Sequence, residues 1–155
     1  MSKTLKFLVL VLGAGCFKPV SGDYKLLADG DPVTDCETTD ADFDDDGDPV
    51  PVEVNDDKDA MTWGEPQPET QGYSNDCTLD GKDFTCTFYD DEGDDGQGNN
   101  ISLLMELTGR WSSNTSVEGT LVLNGSCEGE GCADYEAFGV EFCNISQDIT
   151  GELVE

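Results

Sequence analysis

The chain has 155 residues, with 35 acidic against 7 basic side chains, no histidine and a net charge of −28. That length bounds it to one domain with a modest core. The charge excludes nucleic acid and anionic membrane surfaces as partners of the folded body, and it favours cations or basic partners. The absence of histidine removes Ser-His and Cys-His catalytic pairs.

The first fifteen residues read as a signal peptide. Lys3 and Lys6 form a positive start, Phe7 to Leu12 an apolar run, and Gly13, Ala14 and Gly15 a small-residue cleavage site. The apolar run is far below the ~20 residues that span a bilayer. Cys16 follows the small triplet, and Leu12-Gly13-Ala14-Gly15-Cys16 resembles the lipobox of bacterial lipoproteins over these residues alone. The leucine usual three residues before the cysteine is here Gly13, with Leu12 one step earlier. An ordinary secretory signal with unmodified Cys16 is the alternative. The resemblance implies a diacylglyceryl group on the Cys16 thiol, removal of residues 1–15 and an acylated new amino terminus. One acyl chain binds a membrane marginally, whereas two or three hold firmly. In that family an aspartate after the cysteine signals inner-membrane retention. Phe17 stands there instead, which implies an outer-membrane anchor. Residues 16–23 then form a lipidated tether, and residues 24–155 a single acidic β domain.

In chain order, Tyr24 to Ala28 reads as a first strand. Residues 35–59 read as an acidic loop with too few apolar side chains to bury. Within it, Asp42, Asp44, Asp46, Gly47, Asp48 and Glu53 fit the spacing of a twelve-residue calcium loop. Calcium takes six to eight oxygens, and alternating carboxylates converge on it. Pro49 and Pro51 forbid the helix that leaves an EF-hand loop, so the candidate is a Ca²⁺ site of other geometry at Asp42, Asp44, Asp46, Asp48 and Glu53, set against a merely solvated loop. Residues 64–72, with two prolines and two glycines, read as loop.

From Tyr73 the pattern becomes β. Asn75 to Leu79 and Phe84 to Tyr89 flank Asp80-Gly81-Lys82-Asp83, a hairpin with a four-residue loop that sets Cys77 opposite Cys86. A second acidic loop covers 90–98. Ile101, Leu103, Met105 and Leu107 then share one strand face, with a break at Gly109-Arg110-Trp111. Val117, Gly119, Leu121 and Leu123 share another, and Ala137 to Ile145 is the last strand. These strands suggest an all-β fold, an antiparallel meander closing as a small barrel or sandwich. The final strands are similar, in architecture alone, to small lipocalin-like barrels; no lipocalin sequence motif is present.

Of seven cysteines, Cys16 is the lipid site. The other six are Cys36, Cys77, Cys86, Cys127, Cys132 and Cys143. An even remainder in an exported chain reads as three disulfides, and only Cys77–Cys86 is specified by spacing. Trp63 and Trp111 read as core or barrel plugs, or as the lining of a cavity. The leading reading is therefore an envelope-anchored, non-enzymatic binding or structural module with calcium as a candidate ligand. The alternatives are a lipocalin-like carrier of a small apolar ligand, which an unfilled apolar interior would favour, and a secreted hydrolase using paired carboxylates beside a tryptophan.

Overall fold

The computed structural model describes residues 17–36, 48–64, 73–137 and 142–154. The strands are β1 (Gly22–Ala28), β2 (Val33–Thr34), β3 (Val50–Val54), β4 (Ala60–Trp63), β5 (Asp76–Asp80), β6 (Asp83–Asp94), β7 (Asn100–Trp111), β8 (Ser116–Glu128) and β9 (Asn144–Leu153), with one short helix, α1 (Cys132–Ala137), before β9. Spatial order runs β1-β3-β4-β5-β6-β7-β8-β9, and β9 pairs back onto β1. The result is a closed antiparallel barrel of eight strands, with β2 paired to β9 as an extra strand. Closure leaves the barrel wall without an unpaired edge.

Period-two alternation decides which side chains enter the barrel. Tyr24, Val52, Met61, Trp63, Leu79, Phe84, Phe88, Leu107, Trp111, Val117 and Ile149 point inward and form one core. Large side chains fill the interior at the pole that holds the β3–β4, β5–β6 and β7–β8 turns. Trp111 has 0% exposure and packs edge-on against Tyr24 at 5.5 Å between ring centroids. Phe84 faces Gly109 across the β6–β7 pair. A Cβ at Gly109 would overlap the Phe84 ring and lie 2.6 Å from the Glu118 carbonyl oxygen. Small residues opposite large ones are how a narrow barrel fills its taper. Gly109 is thus the recess that admits Phe84, and β7 runs unbroken through Trp111 where the sequence suggests a break.

The expected β5–β6 hairpin has the register read from the sequence, with Leu79 opposite Phe84, Thr78 opposite Thr85 and Cys77 opposite Cys86. Asp80 and Asp83 also pair, so the turn is only Gly81-Lys82, with Gly81 at φ 64°. That is a conformation glycine adopts without steric cost. The three disulfides are Cys36–Cys143, Cys77–Cys86 and Cys127–Cys132.

Four expectations are corrected. The stretch 35–59 is not all loop: β3 lies within it and β4 starts at Ala60, because Val50, Val52 and Val54 supply an alternating inner face between acidic flanks. Residues 90–94 belong to β6, paired with β7 from Asp90–Leu104 to Asp94–Asn100. Ala137 ends a helix instead of opening a strand, and the last strand is Asn144–Leu153. Finally, the residues read as a short tether, 17–23, are docked on the barrel, and β1 starts within them at Gly22. Phe17 packs 6.2 Å from Trp111 beneath the filled pole, the Lys18 and Val20 amides donate to Asn114, and the Tyr24 hydroxyl donates to the Val20 carbonyl at 2.7 Å.

A candidate ligand cavity at the acidic pole

The described residues do not fill the upper half of the barrel. A cavity of about 280 Å³ lies between the ends of β1, β3 and β4 on one side and the middle of β7, β8 and β9 on the other. Leu26, Ala28, Val50, Trp63, Phe88, Met105, Leu107, Leu121 and Ile149 form its wall, and Tyr73 stands at its mouth. The strand register explains the placement. Ala28 pairs with Ile149, and Leu107 with Leu121, so the inner positions of adjacent strands meet at one level. Two wall positions carry almost no side chain, Ala28 and Gly64. Space that Phe84 and Trp111 fill at the other pole therefore stays empty here. Trp63 stacks on Phe84 at 5.6 Å and marks the boundary between the two halves. Tyr73, stacked on Phe88 at 6.5 Å and 40% exposed, marks where the cavity reaches the surface.

None of the described lining residues is charged. Such a wall gives water few polar partners and favours an apolar occupant.

The rim is held by cross-links and polar ties. Cys36–Cys143 joins the segment after β2 to the start of β9, and beside it the Asn144 amide and side-chain nitrogens donate to the two oxygens of Asp35 at 2.6 and 2.9 Å. These bonds, the backbone one foremost, hold the Asp35 carboxyl below its usual range. Further out, β6, β7 and β8 continue beyond β5 as a three-stranded extension. Asp95 in its turn accepts from the Asn99 side chain at 2.7 Å, the Tyr135 hydroxyl at 2.8 Å and the Gln97 and Asn99 amides. The Asn99 bond first and the Tyr135 bond second hold the Asp95 carboxyl far below its usual range. Asn99 is buried and accepts from the Gly131 amide, which ties the turn to the Cys127–Cys132 loop. Gln147, also buried, donates to the carbonyls of Gly30 and Asp148 and pins the β1–β2 turn at the rim.

Of the residues proposed for calcium, only Asp48 and Glu53 are among the described residues. Asp42, Asp44 and Asp46 lie outside the described residues, as does Cys16. Asp48 precedes β3, and Glu53 is its penultimate residue, exposed on the outer face. Val50 to Glu53 run as extended strand, which carries Glu53 away from Asp48 along the chain. Asp35, Cys36 and Cys143 bring possible ligand atoms within 4.8 Å of one another. The two sulfurs are bonded to each other, however, and Asp35 is engaged by Asn144. Trp111 is sealed in the filled pole, and among the described residues the cavity beside Trp63 has no carboxyl group in its wall.

Leu26, Ala28, Met105, Leu107 and Leu121 were legible on strands, but Val50, Trp63 and Ile149 were not, and none was legible as a site. The one available signal was Ala28 and Gly64, small residues at strand ends among large apolar neighbours. No family model, no curated protein and no solved structure matches this chain.

Proposed function

We propose that this protein is an exported, envelope-anchored lipoprotein whose barrel takes up a small apolar ligand at its acidic pole. The observation that supports the uptake is the unfilled apolar cavity beside Trp63. Clefts of about 300–1,000 Å³ hold drug-sized ligands, and engineered apolar cavities of about 150 Å³ already take up benzene. A void of about 280 Å³ suits a ligand of ring or short-chain size. No chemistry is asked of the protein, because binding here rests on burial of apolar surface alone.

Three cross-links in so short a chain suit an oxidising compartment, in keeping with the signal peptide and lipobox. A lipid on Cys16 would leave from the filled pole, since Phe17 is packed beneath Trp111. The cavity mouth would then face away from the membrane.

The test is titration with a neutral fluorescent apolar probe such as N-phenyl-1-naphthylamine, for wild type and Ala28→Phe. The added ring occupies the void, so saturable binding in the wild type and none in a folded Ala28→Phe is expected. Equal binding by both would remove the cavity from the account. For the anchor, Cys16→Ser is expected to release the protein from membranes; a variant that stays there with lipid attached would refute the assignment.

A further inference from the structure

The rings in the cavity wall narrow the class of ligand. We propose that the cavity takes an aromatic guest of one or two rings, stacked on Trp63, in preference to a saturated guest of the same skeleton. This rests on the apolar-ligand reading above.

Trp63 is a fixed platform. It pairs with Val52, its amide donates to the Asn75 carbonyl at 2.9 Å, and the Gly64 amide donates to the Pro51 carbonyl at 2.8 Å. Phe84 covers one face of the indole, 5.6 Å away between ring centroids and 21° from parallel. Phe84 in turn sits in the recess that Gly109 leaves. Trp63 lines the cavity and Phe84 does not, so the indole stands between Phe84 and the void. An indole backed on one side and open on the other has little rotamer freedom left to lose when a guest stacks on it. The wall continues in kind. Phe88 is 5% exposed, and Tyr73 lies 22° from parallel with it, placed by the Ser74 amide, which donates to the Phe88 carbonyl at 2.8 Å. Met105 adds a thioether to the same wall. Aromatic pairs in offset or edge-on packing gain beyond the area they bury, and so does sulfur at a ring edge. A saturated guest obtains the burial alone. An engineered cavity of about 150 Å³ takes up benzene, so a void of about 280 Å³ has room for a second fused ring.

The experiment compares 2-naphthol with decahydro-2-naphthol, which share a carbon skeleton and a hydroxyl, by calorimetry on wild type, Trp63→Phe and Trp63→Leu. The quantity read is the affinity for the aromatic guest divided by that for the saturated one. Comparing this ratio between variants removes the difference in hydrophobicity between the guests and the change of volume common to both. The ratio is expected to be about two- to tenfold higher in the wild type than in Trp63→Leu, the range that aromatic pairs show beyond burial. Trp63→Phe should keep most of that excess. A second measurement needs no variant: the ring protons of 2-naphthol bound to the wild type should move upfield in the proton NMR spectrum, because they lie over the indole face. The same ratio in wild type and Trp63→Leu, or bound ring protons that do not move upfield, would overturn the aromatic selection. Failure of both guests to bind the wild type, or binding of both undiminished in a folded Ala28→Phe, would instead overturn the cavity reading on which this inference rests.

Discussion

The two poles of this barrel are built from the same kind of strand and held by different forces. At the filled pole Trp111, Tyr24 and Phe84 occupy the interior, with Gly109 hollowed out to admit the last of them. At the acidic pole the interior is left unfilled, and the rim carries two of the three disulfides together with the Asp35–Asn144 and Asp95–Asn99–Tyr135 ties. The difference teaches how a small barrel can keep a cavity. Burial that the empty half forgoes is offset by cross-links that restrict the unfolded chain and by charge-assisted hydrogen bonds.

The largest expected effect tests that division. Cys36–Cys143 closes a separation of 107 residues, whereas Cys77–Cys86 closes 9. In the chain-entropy account the long loop contributes about 4.7 kcal/mol and the short one about 2–3 kcal/mol. Denaturant unfolding of Cys36→Ala/Cys143→Ala should thus show nearly twice the loss of Cys77→Ala/Cys86→Ala. Equal losses would mean that packing, not the cross-link, holds the rim.

Next comes packing itself. Trp111→Ala should cost about 3–5 kcal/mol, because it empties a sealed site, and Leu121→Ala, at a wall already facing empty space, about 2 kcal/mol. The same unfolding curves compare them, and a larger loss at Leu121 would contradict the contrast.

The poles should also differ in their response to pH. Asp35 and Asp95 titrate lower in the fold than in the unfolded chain. Their contribution is complete above the ordinary aspartate range near pH 4 and is lost as pH falls through the lowered values. Acid should therefore loosen the rim first, seen as hydrogen exchange rising at Asn99 and Asn144 before Trp111. Burial, with Glu152 second, pushes Tyr24 of the filled pole up to about 12. Its contribution is complete below pH 10 and is lost as pH climbs towards 12. The Tyr24→Phe variant should lack the last-ionising phenol in an alkaline absorbance titration. Smallest of all, Glu53→Gln should leave any calcium-specific rise in melting temperature unchanged, since β3 separates Glu53 from Asp48.

Much of the barrel wall was legible in the sequence because its determinants are local. Alternation gives the faces at 101–107 and 117–123, and the short hairpin fixes Cys77–Cys86 in register. The acidic pole was not legible, because its determinants are distant in sequence. Asp35 and Asn144 are 109 residues apart, and Asp95 and Tyr135 40. The charge of 35–59 masked β3, whose three valines matter only once β1 and β4 flank them. Ala28, Val50 and Leu121 become one wall only through barrel closure, and no local pattern announces that a buried face will be left without a partner.

The central claim, that one half of the barrel is empty and the other full, is tested most directly by a crystal structure under xenon pressure, since dry apolar voids take up that gas. The account predicts xenon between Trp63, Met105 and Leu121 and none beside Trp111. A cavity filled by hydrogen-bonded water or by rearranged side chains, with no xenon bound there, would contradict it.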